Sequence, residues 1–237
     1  MPAAAPAVPD NLAHQHPEAI SAMFGRVAPR YDLLNHAMSA GIDIYWRWKL
    51  VRAVRAQRPA RVLDLAAGSG DVLLEIQRQK ACTEFAAGAD FCLPMLQIAR
   101  TKKAANLLAS DGLRLPFPDA AFDAVTIGFG MRNFVDRLAG LREMRRVLRP
   151  GGRAYVLEFT HPVAWLAPTY FWYLRAIMPK YSRLFTPEEG AYKYLGESIK
   201  AFPSQPRLAE MMLEAGFSSA NWTNFTLGIA ALHIAEV

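Results

Sequence analysis

Apolar and polar residues alternate along the middle of the chain with two periods, and this predicts an ordered series of strands and helices. Short apolar stretches bounded by glycine, proline or polar residues predict buried strands: VLDLA (62–66), EFAAGAD (84–90), FDAVTIGFG (122–130) and RAYVLEF (153–159). The segments between them predict helices: DVLLEIQRQ (71–79), LPMLQIARTKKAA (93–105) and LAGLREMRRVLR (138–149), the last ending at Pro150-Gly151-Gly152. Strands that alternate with helices predict an α/β fold with a doubly wound, mostly parallel sheet.

The flanking regions have other patterns. Residues 1–17 are rich in alanine and proline, which is typical of a flexible tail, and residues 18–237 predict a single domain. Residues 18–36 predict helical turns broken at Pro29, and residues 42–57 predict an aromatic, basic amphipathic helix. At the other end, a predicted helix at 208–217 precedes two strands joined around Leu227-Gly228.

Residues 160–207 interrupt the alternation with an inserted aromatic segment. Two interpretations stay open: a lid or apolar substrate wall above the sheet edge, or ordinary core. The part from Val163 to Phe185 carries Arg175, Lys180 and Arg183, cations that suit lipid phosphates.

The most informative stretch is Val62–Leu73, in which a predicted strand passes through a loop of small residues into a helix. Gly68 and Gly70 let a ligand approach the backbone closely, as loops for dinucleotides and for S-adenosylmethionine both require. The dinucleotide fingerprint needs a third glycine, and Leu73 stands in its place. Asp64 and Asp71 would repel a pyrophosphate but favour the sulfonium and ammonium groups of S-adenosylmethionine. We therefore predict an S-adenosylmethionine site, with a turn that binds nothing as the alternative.

Polar residues and glycines also follow other predicted strands. Asp90 ends EFAAGAD at the spacing expected of an acid that accepts hydrogen bonds from ribose hydroxyls. The carboxyl ends of parallel strands share one edge of the sheet, so residues at or just past them are expected to converge on one ligand. These residues are Asp64, Asp90, Asp111, Gly128 and Glu158.

Composition narrows the classes of function. The sequence contains no apolar run of about 18 residues and therefore predicts no membrane span. Its 52% of hydrophobic residues suffice for a large core. Cys82 and Cys92 lack metal-binding spacing, which indicates a reducing compartment and no metal site. The 27 lysines and arginines against 21 acids favour anionic partners such as nucleic acid or a membrane surface. Arginines that recur on one predicted helix face form either a solvated face or a phosphate contact: Arg142, Arg145, Arg146 and Arg149.

Longer motifs resemble the ubiquinone/menaquinone biosynthesis C-methyltransferases, a family of class I S-adenosylmethionine-dependent methyltransferases. The most specific are GFGMRN (128–133) and RYDLLNHAMSAGI (30–42). The others, which extend the match over nearly all of residues 22–233, are LDLAAGSGD, LPFPDAAFDAV, REMRRVLRPGGRAYVLEF, YKYLGESI and LGIAALH. The resemblance implies a Rossmann-like, seven-stranded, mostly parallel sheet with an antiparallel last strand. It also implies methyl transfer to a ring carbon of a polyprenylated quinol, in menaquinone or ubiquinone synthesis.

The resemblance also assigns cofactor-binding positions. They fall on Leu73, Asp90, Asp111, Gly112 and Gly128, to which the glycine loop adds Asp64 and Gly68. Three positions depart from the family pattern: Leu73 replaces a usual Thr, Asp111 a usual Asn and Gly128 a usual Ser. Leu73 is left with packing or backbone contacts and Gly128 with main-chain contacts, whereas Asp111 is still expected to accept from the adenine amino group.

The ring carbon becomes nucleophilic when a ring hydroxyl loses its proton, so the expected substrate is the quinol and not the quinone. Arg132 is expected to stabilise the phenolate, since a guanidinium stays protonated and cannot act as a normal base, with a structural salt bridge as the alternative role. Asn133 is expected to orient the hydroxyl. Glu158, Tyr192 and Tyr194 are the candidate bases or water relays.

Other classes of function stay open: a methyltransferase for another small aromatic metabolite or for nucleic acid, or a cofactor-binding protein without catalysis. Against nucleic acid, Gly128-Phe129-Gly130-Met131 stands where amino-methylating enzymes carry an Asn/Asp-Pro-Pro-aromatic motif, and neither cysteine follows a proline. The expected partners are a polyprenylated quinol and, transiently, an anionic membrane surface, without nucleic acid; a homo-oligomer stays open. The expected location is the cytoplasm, at the inner face of the membrane.

Overall fold

The structure is a computed structural model that describes residues 41–177 and 189–237 together with Gly25 and Ser39, with side chains omitted at 189–193. The predicted tail at 1–17 lies outside the described residues, as do the helical turns at 18–36 apart from Gly25.

A seven-stranded sheet organises the molecule, in the order β3-β2-β1-β4-β5-β7-β6. Its strands are β1 (Arg61–Leu65), β2 (Phe85–Asp90), β3 (Leu107–Ala109), β4 (Phe122–Gly128), β5 (Leu148–Phe159), β6 (Ser219–Phe225) and β7 (Ala230–Glu236). Neighbouring strands from β3 to β5 are parallel, whereas β7 runs antiparallel to both β5 and β6. The predicted α/β sheet with an antiparallel last strand is confirmed.

Helices connect the strands where the apolar spacing predicts them. They are α1 (Ile42–Gln57), α2 (Asp71–Gln79), α3 (Leu93–Thr101), α4 (Arg137–Val147), α5 (Ala167–Trp172), α6 (Glu189–Lys200) and α7 (Gln205–Glu214). The bounds of α1 and α2 agree with the prediction, but α3 ends four residues early. It ends there because the chain turns at Lys103, whose φ of 68° is left-handed.

The start of β5 differs from the expectation. Pro150-Gly151-Gly152 was predicted to separate a helix from a strand, but α4 already ends at Val147 and β5 begins at Leu148. The three residues instead form an irregularity within the strand, where the β4–β5 register shifts between Phe122 and Ala124. Gly151 has a φ of +74°, which is why glycine suits this bulge.

The strands are buried on both faces, because helices cover the sheet from two sides. Leu63 and Leu65 of β1 belong to the cluster that includes Leu141 of α4 and Leu208 of α7. Val62, one position earlier, belongs to the opposite cluster with residues of α1 and α2. Alternate side chains of a strand point to opposite faces, so β1 supports both layers and fixes the position of the loop that follows it.

The insertion at 160–207 is partly core. After α5 the chain continues as a short π-helix, Tyr173–Ile177, and Leu174 packs with Ile199 of α6 in a small separate cluster. Trp165 and Trp172 lie outside it, with 72% and 54% of their surface exposed. The segment therefore buries one side and leaves two tryptophans at the surface. Among the described residues, no helix combines the length and apolarity needed to cross a membrane.

A buried polar cluster joins β7 to the start of α7. His233 is fully buried, and its Nε2 lies 3.0 Å from the carbonyl oxygen of Gln205, which can only accept, so Nε2 carries the proton. Burial lowers the pKa of His233 to about 4, with the Gln205 contact opposing the shift. Its Nδ1 has no hydrogen-bond partner among the described residues.

We expect His233 to make the fold acid-sensitive. Its pKa of about 4 in the folded protein lies below the unfolded value of 6.5, so the unfolded chain takes up the proton first. The stability that neutral His233 contributes is complete above pH 6.5 and is lost as the pH drops through about 4, by up to about 3 kcal/mol. Denaturant unfolding of the wild type and of His233→Gln across this pH range is the measurement. The other titrating groups are common to both proteins, so the variant should lack this contribution, and a difference in stability between the two proteins that does not change with pH would contradict the assignment.

Candidate functional site

A pocket opens at the carboxyl edge of the sheet, between the segments that follow β1, β2 and β4. Its walls include Arg47, Asp64, Ala66, Gly68, Asp71, Asp90, Met95, Gly128, Phe129 and Asn133. The predicted convergence of residues from successive strand ends is thus present for Asp64, Asp90 and Gly128.

Glycines let the loops around this pocket pack closely. Gly70 has a φ of +84°, and a Cβ built there would lie 3.0 Å from the Ala99 Cβ. A Cβ on Gly130 would lie only 2.6 Å from the Ala66 Cβ, so the segments after β1 and β4 approach at a distance that excludes a side chain. The short loop then delivers the N-terminus of α2 directly to the pocket.

Asp90 ties the glycine loop to the end of β2. Its Oδ2 accepts the Gly68 N–H at 2.8 Å and its Oδ1 accepts the Cys92 N–H at 2.8 Å. Burial raises the pKa of Asp90, while the N–H groups of Cys92, Gly68 and Phe91 oppose the shift. A carboxylate oxygen has two lone pairs, so each oxygen can still accept a hydrogen bond from a ligand.

Asp64 is the most unusual carboxyl group of the pocket. It is 1% exposed, and its Oδ1 accepts the Thr126 hydroxyl at 2.7 Å. Burial raises its pKa to about 7, and the neighbouring Asp90 adds to the shift, whereas the Thr126 hydroxyl, the Leu73 N–H and the Arg47 charge oppose it. Its Oδ2 is buried without a hydrogen-bond partner among the residues described. A buried acceptor in this state favours a bound donor or cation.

Asp71 is in a different situation, because two cations already face it. Lys102 forms an ion pair with it, and the Arg47 Nη2 lies 3.7 Å from its Oδ2. Arg47 itself pairs with Asp43 of α1. The sequence predicts that Asp64 and Asp71 both favour a cationic ligand group. In the structure this preference depends on Asp64.

The remaining predicted cofactor positions lie in three different environments. Gly128 lines the pocket, and a Cβ there would lie 2.8 Å from Val72. Leu73 is fully buried in the core on the α1 and α2 side of the sheet. Asp111 is exposed and accepts the Leu113 N–H at 2.9 Å, and a Cβ on Gly112 would lie 2.6 Å from Phe134. Neither Asp111 nor Gly112 belongs to the pocket walls.

Arg132 and Glu158 form a buried ion pair behind the pocket. The Arg132 Nη1 donates to Glu158 Oε1 at 2.7 Å and to the Phe129 carbonyl at 2.5 Å, and the Arg132 N–H donates to Glu158 Oε2 at 3.2 Å. Their exposures are 5% and 0%. The pair fixes the 3₁₀ turn Met131–Asn133, so its direct role is to position Asn133.

Asn133 is the predicted catalytic residue that lines the pocket, and Tyr194 orients it. The Tyr194 hydroxyl donates to Asn133 Oδ1 at 3.0 Å, which leaves the amide Nδ2 as a donor for another group. Burial raises the pKa of Tyr194, so it stays a neutral donor. Tyr192 lies on α6, but its side chain is outside the described residues.

Arg137 was not singled out from the sequence, because a helix-starting arginine has no distinctive local pattern. Its Nη2 donates to the Arg132 carbonyl at 3.2 Å, and its Nε is buried without a hydrogen-bond partner among the described residues. Burial lowers its pKa, with Glu158 and Tyr194 opposing the shift. It brings a second guanidinium to the Arg132–Glu158 pair. Within the described part of the chain, no group of three or more His, Cys, Asp or Glu side chains is arranged to hold a metal ion.

Comparison with known proteins identifies the family. Residues 12–236 match the ubiE/COQ5 methyltransferase family. This chain belongs to that family. It is 46% identical to the demethylmenaquinone methyltransferase of Thermus thermophilus over 90% of this chain and 99% of that protein. It is 43% identical to the ubiquinone/menaquinone biosynthesis C-methyltransferase UbiE of Geobacter sulfurreducens over 92% of this chain and 88% of that protein. The predicted resemblance is confirmed.

Solved structures of more distant proteins share the fold of this ubiE/COQ5 family member. A SAM-dependent methyltransferase of Thermotoga maritima aligns with a TM-score of 0.62 at 17% identity, over 90% of this chain and 98% of that chain. A methyltransferase of Methanococcus maripaludis aligns with a TM-score of 0.58 at 15% identity, over 87% and 90%. The Rossmann-like methyltransferase architecture is thus confirmed independently of the close relatives.

We expect Asp64→Asn to stabilise this family member. Ionising Asp64 is easier in the unfolded chain, at its ordinary pKa of 3.8, than in the fold, where the value is about 7. The Asp64 carboxyl group therefore lowers the stability of the wild type as the pH rises from about 4 to 7 and keeps it lowered above that, a contribution on the order of 4 kcal/mol. Asparagine cannot ionise, so the variant should melt roughly 5 °C or more above the wild type at about pH 8, with a much smaller difference at about pH 5.

The matched control is Asp123→Asn at the opposite end of the sheet. Asp123 accepts the Arg61 N–H at 2.6 Å and pairs with Arg149, so its replacement should lower the melting temperature at the same pH. A destabilised Asp64→Asn at about pH 8 would show that Asp64 is a stabilising group.

Proposed function

We propose that this chain transfers the methyl group of S-adenosylmethionine to a ring carbon of a polyprenylated quinol. Demethylmenaquinol is the quinol that we expect it to methylate. The observation that carries the proposal is similarity over nearly the whole chain: the demethylmenaquinone methyltransferases of Thermus thermophilus and Deinococcus radiodurans are 46% and 44% identical to it. The pocket at the sheet edge supplies the chemistry that such a reaction needs.

The residues present fit S-adenosylmethionine. The buried Asp64 Oδ2, which lacks a partner among the described residues, suits one of the cofactor's cationic groups, and Asp90 has free lone pairs for the ribose hydroxyls. Gly68, Gly128 and Gly130 give backbone access along the walls. When bound, the cofactor supplies an electrophilic methyl group on a positively charged sulfur.

The chain's own contribution to catalysis is orientation and electrostatic stabilisation. Loss of a proton from the quinol hydroxyl to water places negative charge on its oxygen and on the ring carbon that will be methylated. The Asn133 Nδ2, held by Tyr194, is a donor for that oxygen, while Arg137 beside the neutralised Arg132–Glu158 pair leaves this corner with a net positive charge. Glu158 is engaged by Arg132, so it acts as a positioning group rather than as a base in this arrangement.

The chain meets a membrane-resident quinol at the lipid surface in this proposal, because the exposed Trp165 and Trp172 of the aromatic insertion suit contact with lipid. We place it in the cytoplasm, with transient association with the inner face of the membrane and without a nucleic-acid partner. The described pocket is lined by residues of one chain, so the proposed function does not depend on a homo-oligomer.

Methyl transfer to a short-tailed demethylmenaquinol tests the proposed function directly. The purified protein should methylate this substrate when it is kept reduced, because only the quinol ring can carry phenolate charge, and it should leave the oxidised quinone unchanged. Mass spectrometry of the extracted ring product is the measurement. A protein that binds S-adenosylmethionine but methylates neither the naphthoquinol nor a benzoquinol would overturn the proposal, as would methylation of nucleic acid instead.

Tyr194→Phe should lower kcat by roughly three- to tenfold, since one neutral hydrogen bond that orients Asn133 is lost. Affinity for S-adenosylmethionine in calorimetry should stay unchanged, because Tyr194 does not line the cofactor pocket. Tyr155→Phe is the matched control: its hydroxyl donates to Gln57 at 3.1 Å, away from the pocket, so kcat should be retained. Equal kcat values for both variants and the wild type would remove Tyr194 from the site.

A further inference from the structure

The outer face of α1 combines aromatic rings with cations. Tyr45 and Trp48 stack with ring centroids 6.0 Å apart, Lys49 lies over both rings, and Arg52 lies 5.2 Å from the Trp48 centroid. These four residues stand at i, i+3, i+4 and i+7 and therefore share one face of the helix. The only acid of α1 is Asp43, which is buried and paired with Arg47. Tyr45 and Arg52 are exposed and Trp48 and Lys49 are half-buried, so this face is positively charged and aromatic.

A strained turn adjoins this helix. The Trp46 Nε1 donates to the Thr226 hydroxyl at 3.1 Å, which holds the β6–β7 turn against the first turns of α1. Thr226 and Leu227 have φ values of 46° and 57°, a left-handed conformation that L-residues other than Gly and Asn rarely adopt. Leu227 nevertheless keeps 54% of its surface exposed. The fold bears backbone strain and exposes a leucine at the same position, which calls for a functional reason.

The chain beyond β5 is hydrogen-bonded to this turn. The Val163 N–H donates to the Leu227 carbonyl at 2.9 Å, and the Leu166 N–H donates to the Val163 carbonyl at 2.9 Å. Val163 is 37% exposed and Trp165 is 72% exposed. Tyr45 and Trp48 of α1, Val163 and Trp165 after β5, and Leu227 in the β6–β7 turn thus come from separate parts of the chain; we call them the apolar rim.

The rim lies on the edge of the sheet at which the pocket opens. Trp46, beneath the outer face of α1, packs edge-on against Phe159 at the end of β5 and lies 6.1 Å from Phe129 of the pocket wall. A flat partner that covers the rim would therefore face the pocket entrance.

Charge distinguishes this surface from the arginine face of α4. There, Arg145 donates to the Gly216 carbonyl, Arg146 pairs with Glu143 and Asp119, and Arg149 pairs with Asp123. Three of the four arginines on that face are thus engaged by groups of the chain, and the charge of the fourth, Arg142, acts on Glu214. Lys49 and Arg52, by contrast, form no ion pair among the described residues and lie over aromatic rings. Aromatic and aliphatic side chains beside uncompensated cations match the interface of an anionic bilayer.

We propose that the apolar rim, with Lys49 and Arg52, is a docking surface for an anionic phospholipid bilayer. Leu227, Val163 and Trp165 enter the boundary between headgroups and acyl chains, and the two cations contact lipid phosphates. Given the proposed function, this orientation turns the pocket toward the bilayer, so that a quinol ring can enter while its polyprenyl tail stays in lipid. Lipid binding itself does not depend on that function.

Cosedimentation of the full chain with vesicles tests the proposal. Phosphatidylcholine mixed with phosphatidylglycerol should bind the wild type, pure phosphatidylcholine should bind it far less, and added salt should release it. Leu227→Asn keeps a residue that tolerates the left-handed turn but removes the apolar side chain, and should weaken binding about fivefold. Joint replacement Lys49→Gln and Arg52→Gln should weaken it roughly tenfold or more.

Matched controls remove the same kinds of group elsewhere. Leu213→Gln removes a leucine on α7 that is 48% exposed, and the pair Arg100→Gln and Arg142→Gln removes two exposed cations; both should bind as the wild type does. All variants should methylate a short-tailed, water-soluble quinol at the wild-type rate, which separates a failure of docking from a failure of the proposed function. Trp165→Gln is a second rim variant that does not depend on the turn.

Three results would overturn the docking surface. They are no binding of the wild type to anionic vesicles, wild-type binding by folded Leu227→Asn and Trp165→Gln, or equal losses in the rim and control variants. A rim-dependent dimer in sedimentation velocity, without vesicle binding, would make this surface a subunit interface instead.

Discussion

The close contact between backbone segments at the carboxyl edge is the constraint on which the rest of this site depends. Gly130 and Ala66 approach so closely that a single added methyl group would collide, and Asp90 joins the glycine loop to the segment after β2 through two backbone N–H groups. The loops after β1, β2 and β4 therefore hold one another in place. A pocket built in this way is preorganised, because its walls are fixed by the core strands rather than by side chains that must reorder on binding.

The same close packing at the carboxyl edge explains why the pKa of Asp64 is raised. Excluding water leaves its carboxyl group with the Thr126 hydroxyl and the Leu73 N–H, whereas two other acids pair directly with cations: Asp71 with Lys102 and Glu158 with Arg132. The ionised form of Asp64 is thus disfavoured until a positive ligand group arrives. Burying Asp64 lowers the stability of the fold, and a cationic ligand group beside it would recover that free energy. The site is therefore selective for a cationic ligand, as functional sites often are at a cost in stability.

Most of the fold could be predicted from the sequence, because local patterns and global packing agree. The spacing of apolar residues placed α1 and α2 to the residue, and the alternation of strands and helices gave the parallel core. The start of β5 could not be predicted, since a Pro-Gly-Gly sequence suits a turn and a bulge equally well. In the site, Asp64, Asp90 and Gly128 could be predicted, because they stand at or near strand ends and the alternation of strands and helices locates those ends.

What could not be predicted is partnership between side chains distant in sequence. The sequence leaves Arg132 open as a group that stabilises the phenolate or as half of a salt bridge, and only the fold identifies Glu158, 26 residues later, as its partner. Arg137 shows its role only when Arg132 and Tyr194 surround it. Asp111 and Gly112 illustrate the opposite case, because the family resemblance placed them in the site but neither is among the pocket walls. Their contribution to cofactor binding stays a prediction.

The reversed strand connects these features. Because β7 runs antiparallel to β5, Ala230 lies beside Phe159, and the turn before β7 returns to the carboxyl edge instead of the opposite one. A parallel β7 would have to begin at the far edge, and Leu227 would then point away from the pocket. The antiparallel strand thus brings a third chain segment to the edge that already holds the glycine loop and the start of the aromatic insertion. Pocket and apolar rim share one edge as a consequence of strand direction.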